Sequence, residues 1–308
     1  MMGLSLSPLV IKKLSNQQLS VIKCMLIAAA AYAISGLSVH GLRGDSWDLA
    51  LFARALFGFP FAINGLKKQE CRAADFFAPA LMFRSLLAVA FLGVLYYALQ
   101  IISPGNAFAL VSMRPIWVAA ICLLLGQNKV KIMFWPLAMV GVLGVALMEG
   151  SRLSDSPGFI AIAAALGILG AGSTITINYC QKHSESWMTF HYTSIMLIVS
   201  IIFLSVSGDA SKLGELMRWQ TLLLLILMGA MGNLYTLFSI KSVKVAGAEA
   251  GSFIVLLTTV FAYMASHLIW QPAFSITGVV GIAFALVPCI AVIGFGGVLK
   301  QPAAAPSA

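Results

Sequence analysis

The sequence predicts an all-α integral membrane protein with ten transmembrane helices, arranged as a 5+5 inverted repeat with both termini cytoplasmic. Three observations carry this expectation. Of the 308 residues, 60% are hydrophobic and only 9% are charged, with mean hydropathy +0.97. A soluble domain carries roughly 25% charged residues, so this chain could not cover a globular surface. Ordinary soluble enzymes, disordered chains and disulfide scaffolds are thereby excluded. Ten stretches each approach the ~20 apolar residues that cross a bilayer core. The charges between those stretches sort onto alternate sides.

Taken in order, the first span (20–39) follows the polar, basic KKLSNQQLS, and no small-residue cleavage site follows it. It is expected to be a retained helix and not a signal peptide. Spans at 47–66, 76–99, 104–125 and 132–149 are punctuated by HGLRGD, KKQECRAAD, SPGN and GQNKVK. After SRLSDSPG come spans at 157–180, 187–206, 219–240, 248–270 and 275–297, separated by QKHSES, SGDASKLGE, KSVKVAG and QPAF. Links this short make consecutive helices antiparallel neighbours. The organisation is a cytoplasmic segment 1–19, a first five-helix repeat 20–150, a second 151–297 and a cytoplasmic tail 298–308.

One side collects Lys12, Lys13, Lys67, Lys68, Arg72, Lys129, Lys131, Lys182, Lys241, Lys244 and Lys300; the other has only Arg43, Arg152, Lys212 and Arg218. Cytoplasmic loops accumulate Lys and Arg, so the first side is cytoplasmic. Most of the net charge of +9 is therefore topological and not a nucleic-acid footprint. Trp47, Trp135, Trp187, Trp219 and Trp270 fall at span ends, as interfacial anchors do, and Trp117 alone lies mid-span. Cys24, Cys71, Cys122, Cys180 and Cys289 form no CxxC pair, so neither a zinc site nor a disulfide framework is indicated. No cofactor or metal is expected.

The end of each half reads alike. YALQIISPGNAFALVSMRPIWVAAICLLLGQ precedes WPLAMVGVLGVALMEG, and FSIKSVKVAGAEAGSFIVLLTTVFAYMASHLIWQ precedes PAFSITGVVGIAFALVPCIAVIGFGG. Each unit has a small-residue loop, a long helix closing on Gln127 or Gln271, a short link and a Gly/Ala/Val helix. Five spans per half is an odd number, so the halves run oppositely through the bilayer. Inverted repeats of this kind build secondary transporters, with the substrate site at the midplane between them.

FARALFGFPF with Arg54, MFRSLLAVAFLGVLYYAL with Arg84, RPIWVAAICLLLGQ with Pro115 and the glycine-rich closing helices resemble the EamA-type transporters of the drug/metabolite transporter superfamily. The resemblance covers nearly the whole chain. It implies a 5+5 inverted-repeat fold and alternating access to a central cavity. Gln127 stands where the family usually has Glu, and Arg114 where it usually has a small or polar residue before the proline.

Ionisable groups within a membrane are costly and mark function by default. Lys23 lies near a span end, where its stem can snorkel. Arg54 and Arg84 are seven or eight residues into their spans, about 10–12 Å deep at 1.5 Å per residue; substrate contact and a clamp on backbone carbonyls are both open for them. Arg114 shares a helical face with Asn106, Leu110 and Trp117. A guanidinium beside the Trp117 indole suits a carboxylate or phosphate joined to a planar group. Pro115 frees a carbonyl four residues earlier and kinks the span there.

Further polar faces could close the same cavity: Tyr32 with Ser35 and Ser38; Asn178 with Thr174 and Gln181; Asn233 with Thr236; and Tyr263 and His267 with Ser252 and Thr259. His191 is either a proton relay or a helix–helix hydrogen bond, and Glu149 and Glu249 sit at span ends. The expected function is movement of a small anionic or zwitterionic metabolite, such as an amino acid, a nucleotide-like compound or an organic acid, across a bacterial inner membrane. Its partners would be that solute and the lipid bilayer, with a homodimer left open. A channel is the first alternative, though no filter sequence is present. An HxxxxD pair, His40 and Asp45, is the one pointer toward a lipid-modifying enzyme.

Overall fold

The computed structural model describes residues 16–41, 47–66, 73–101, 104–126, 132–149, 157–207, 219–270 and 275–294. Described residues form helices and turns, with no strand. In chain order the helices are α1 (Asn16–Gly41), α2 (Trp47–Asn64), α3 (Ala73–Phe76), α4 (Pro79–Ile101), α5 (Pro104–Val111), α6 (Arg114–Leu124) and α7 (Phe134–Glu149). They continue as α8 (Pro157–Ile175), which tightens into a 3-10 turn (Thr176–Cys180), then α9 (Glu185–Ser207), α10 (Trp219–Ala246), α11 (Ala248–Ser252), α12 (Ile254–Trp270) and α13 (Ile276–Gly294). Among the described residues seven segments are long and apolar enough to cross a membrane, and α7 and α13 are apolar but shorter. The chain is an all-α, multi-pass membrane protein.

Lys12, Lys13, Arg43, Asp45, Lys67, Lys68, Cys71, Arg72, Gln127, Lys129, Lys131, Arg152, Lys212, Arg218, Gln271 and Lys300 lie outside the described residues, as do the side chains of His40, Asn106, Glu149 and Trp270. Trp187 sits near the start of α9. It is buried and packs on Phe190 with ring centroids 5.6 Å apart.

The fourth predicted span is broken at Ser112–Met113, between α5 and α6. Pro115 has no N–H to give the Val111 carbonyl, and the Ile116 and Trp117 amides both turn to the Met113 carbonyl. The ninth predicted span breaks at Phe253 between α11 and α12 without a proline. There Gly247, at φ 89°, ends α10 in a backbone conformation costly for other residues. Its amide closes on the Val243 carbonyl, and α11 starts at once.

Helix contacts are extensive between α1 and α10, α1 and α12, α2 and α9, α2 and α10, α4 and α8, α6 and α8, and α7 and α13. In lipid, small residues allow such approach and dispersion holds it. At the α7–α13 crossing, a side-chain carbon on Gly144 would lie 2.6 Å from the Gly281 carbonyl oxygen and 2.9 Å from the Phe284 carbonyl carbon. On α10, Gly229 lies against the backbone of Phe57 and Gly58 in α2.

Candidate functional site

Arg54, Arg84 and Arg114 are 2%, 4% and 5% exposed, and all three line one central cavity of about 50 Å3. Tyr32, Phe91, Tyr192 and Tyr235 form much of its aromatic wall, and Ser173, Thr174, Thr236 and Ser239 add hydroxyl-bearing residues. Water needs roughly 10–15 Å3 in this measure, so the space suits a few waters or one compact headgroup.

Each guanidinium is held from a different direction. From α2, Arg54 donates through Nη1 to Ser35 Oγ of α1 (3.1 Å) and the Tyr96 hydroxyl of α4 (3.2 Å), and through Nη2 to the Gly232 carbonyl of α10 (3.4 Å). Ser35 Oγ passes its own proton to the Met228 carbonyl, 3.2 Å away. From α4, Arg84 donates to the Met188 carbonyl of α9 (3.4 Å) and lies 5.5 Å from the centroid of the Tyr192 ring. From the first turn of α6, Arg114 donates to the Tyr235 hydroxyl of α10 (3.2 Å) and stands 4.6 Å over the Phe91 ring of α4. Tyr235 in turn stacks on Tyr32 at 4.2 Å with a 13° interplanar angle.

Backbone glycine makes room for two of these side chains. A carbon added to Gly232 would meet the Arg54 guanidinium, and one added to Gly170 of α8 would come 2.8 Å from Arg114 Nε. Both arginines therefore rest on neighbouring backbone.

Donors remain over after these contacts. Arg54 Nε, Arg84 Nε, Arg114 Nε and Nη2, and the Tyr32 hydroxyl are buried without a hydrogen-bond partner. Among the described residues no carboxylate lies within 4 Å of the three guanidiniums; the described ion pair, Lys244 with Glu185 at 3.5 Å, is elsewhere. A buried ion costs several kcal/mol in desolvation unless paired, and a stranded charged donor adds roughly 1–3 kcal/mol or more. A site of this composition favours an anion with several acceptor oxygens.

The remaining sequence candidates lie elsewhere or act differently. Trp117 is not the aromatic partner of Arg114; it packs on Gly167 of α8, and Phe91 takes that place. Asn178 does not join Thr174 at the cavity, because the 3-10 turn changes the residue spacing, and Ile177 lines it instead. Asn233 clamps three helices: its Nδ2 donates to the Gly58 carbonyl, and its Oδ1 accepts from Thr193 (2.9 Å). Tyr263 packs against Gly278 of α13, and His267 Nδ1 donates to the Tyr263 carbonyl (2.9 Å); neither lines the cavity. His191 is a helix–helix link, with Nε2 donating to the Phe76 carbonyl and Nδ1 paired with Ser85 Oγ, each at 2.8 Å.

The sequence reading did not single out Phe91, Tyr96, Tyr192 or Tyr235. Tyr192 and Tyr235 carried a usable signal. Tyrosine belongs at the membrane interfaces, and these two stand well inside α9 and α10.

The sequence matches no protein-family model and no curated protein. A solved crystal structure is similar in fold, with TM-score 0.66 over 92% of this chain and 97% of that one, at 12% identity. The shared fold thus extends over nearly all of both chains.

Proposed function

We propose that the protein is an EamA-like transporter of the drug/metabolite transporter superfamily that moves a small anionic or zwitterionic metabolite by alternating access. It would lie in a bacterial inner membrane with both termini cytoplasmic. The observation that carries this proposal is the convergence of Arg54, Arg84 and Arg114 on one cavity without a carboxylate partner among the described residues.

A 5+5 arrangement of ten spans is supported by the helix contacts. Leave out the four-residue α3 and pair the other helices of α1–α7 with α8–α13 in order, taking α5/α6 and α11/α12 as the two broken spans. The contact of α1 with α10 is then answered by α8 with α4, that of α1 with α12 by α8 with α6, and that of α2 with α10 by α9 with α4. The α2–α9 and α7–α13 contacts answer themselves. That correspondence is what an internal two-fold axis produces, and rocking of such halves is the usual route to alternating access. Arginine suits the site because its planar fork matches carboxylate and phosphate and holds its charge at any accessible pH.

Uptake of labelled anions into proteoliposomes tests the proposal, guided by a thermal-shift screen of metabolites on the purified chain, since a ligand of the folded state raises its stability. Saturable uptake is expected, and loss of it in Arg114→Ala while the protein stays folded. Normal uptake by that variant would remove Arg114 from the site. Turnover of a lipid without flux would point to an enzyme.

A further inference from the structure

We infer that this site takes a compact oxyanion with at least two negative charges, and that the protein carries it only in exchange for another such anion. The inference rests on the transport proposal and deepens it.

The charge requirement follows from the donors. Three guanidiniums, each nine-tenths or more buried, face one cavity and lack a described counter-carboxylate. A monovalent ligand would leave two positive charges uncompensated in a low-dielectric core. The three guanidiniums are carried by α2, α4 and α6, so they approach the cavity from separate helices. One tetrahedral oxyanion, or two carboxylates of a short diacid, offers enough acceptor oxygens to serve all of them. Size points the same way, because a cavity of about 50 Å3 matches roughly three or four waters, the scale of a compact anionic group.

Exchange follows from where the arginines are held. Arg54, Arg84 and Arg114 all belong to α1–α7, and they touch Gly232, Met188 and Tyr235, which belong to α8–α13. Closing one half on the other therefore strips water from these guanidiniums. With a multivalent anion enclosed, their N–H groups find acceptors. Without one they are stranded in the core. Arginine cannot shed its proton to relieve this, and His191 is already engaged with Phe76 and Ser85. An unloaded carrier should thus stay open to one side until an anion arrives.

The test uses the full chain in phosphatidylcholine liposomes. Labelled inorganic phosphate, sulfate and malate serve as divalent probes, with lactate and serine as monovalent and zwitterionic ones. Each is offered to vesicles preloaded with the same unlabelled compound and to vesicles without it. At least one divalent probe should enter preloaded vesicles ten-fold or more faster than unloaded ones. The phosphate and sulfate arms separate a tetrahedral oxyanion from the diacid arm. Equal rates with and without preloading would overturn exchange while leaving transport intact. Entry of lactate or serine with no divalent flux would overturn the charge requirement alone. No flux of any probe through protein that still melts cooperatively would overturn the inference together with the transport proposal.

Discussion

The helices before and after the α7–α8 link bring opposite materials to the cavity. Those up to α7 supply the charge, as Arg54, Arg84 and Arg114. Those from α8 onward bring it no charge: they add Gly170 and Gly232 as space, the Met188 and Gly232 carbonyls as acceptors, and Tyr192 and Tyr235 as aromatic walls beside Tyr32 and Phe91 of the earlier helices. The two sets of helices meet one cavity with different chemistry. Substitutions in the charged half should therefore change what the protein binds, whereas those in the neutral half should first change how well the halves fit.

The largest effect should come where the two halves meet through backbone alone. Gly144→Leu drives a side chain into α13 at Gly281 and Ala285, and overpacking of this kind costs about 3 kcal/mol. Thermal melts in detergent should show a marked loss of folded protein. Arg54→Met is next. It removes a donor from Ser35, Tyr96 and the Gly232 carbonyl, and the net loss should be about 2 kcal/mol, measurable by the same melt and accompanied by loss of uptake.

Asn233→Ala tests the neutral half. Freeing the Gly58 carbonyl and the Thr193 contact should lower stability by about 1–2 kcal/mol, with uptake per folded molecule unchanged. Reduced uptake there would show that the clamp also shapes the cavity. Smallest is Tyr235→Phe, which keeps the stack on Tyr32 but removes the hydroxyl that Arg114 meets. Substrate affinity, read by titrated thermal shift, should change about three- to ten-fold, because one hydrogen bond is worth about 1 kcal/mol.

Much of this was legible in the sequence, for physical reasons. Hydropathy reports what lipid demands of a span, so helix limits such as 47–64 for a span read at 47–66 differ only at the ends. A charged residue in an apolar run is conspicuous because it is expensive, and all three interior arginines reached the cavity. The α5/α6 break was announced by Pro115, which cannot donate its amide. The α11/α12 break was silent, since nothing local in SFIVLL removes a donor.

Polar side chains were harder to place. Asn233 bonds across helices, Tyr263 packs on α13 and His267 bonds back within α12, and sequence cannot say which neighbour each side chain meets. Asn178 was assigned by an α-helical period that the 3-10 turn does not keep. The glycines of α10 gained their meaning only from their partners, Gly58 and Arg54.

The central claim is that Arg114 is held buried for binding and not for stability. Its Nε and Nη2 have no partner, and a single hydrogen bond to Tyr235 holds the rest. A buried ion without a counter-charge costs several kcal/mol in desolvation, so an apolar side chain of similar volume in its place should stabilise the fold. Thermal melting and anion uptake of Arg114→Met, measured on the same reconstituted preparation, decide the matter. A higher melting temperature with uptake abolished is the predicted result; a lower melting temperature with uptake retained would contradict it.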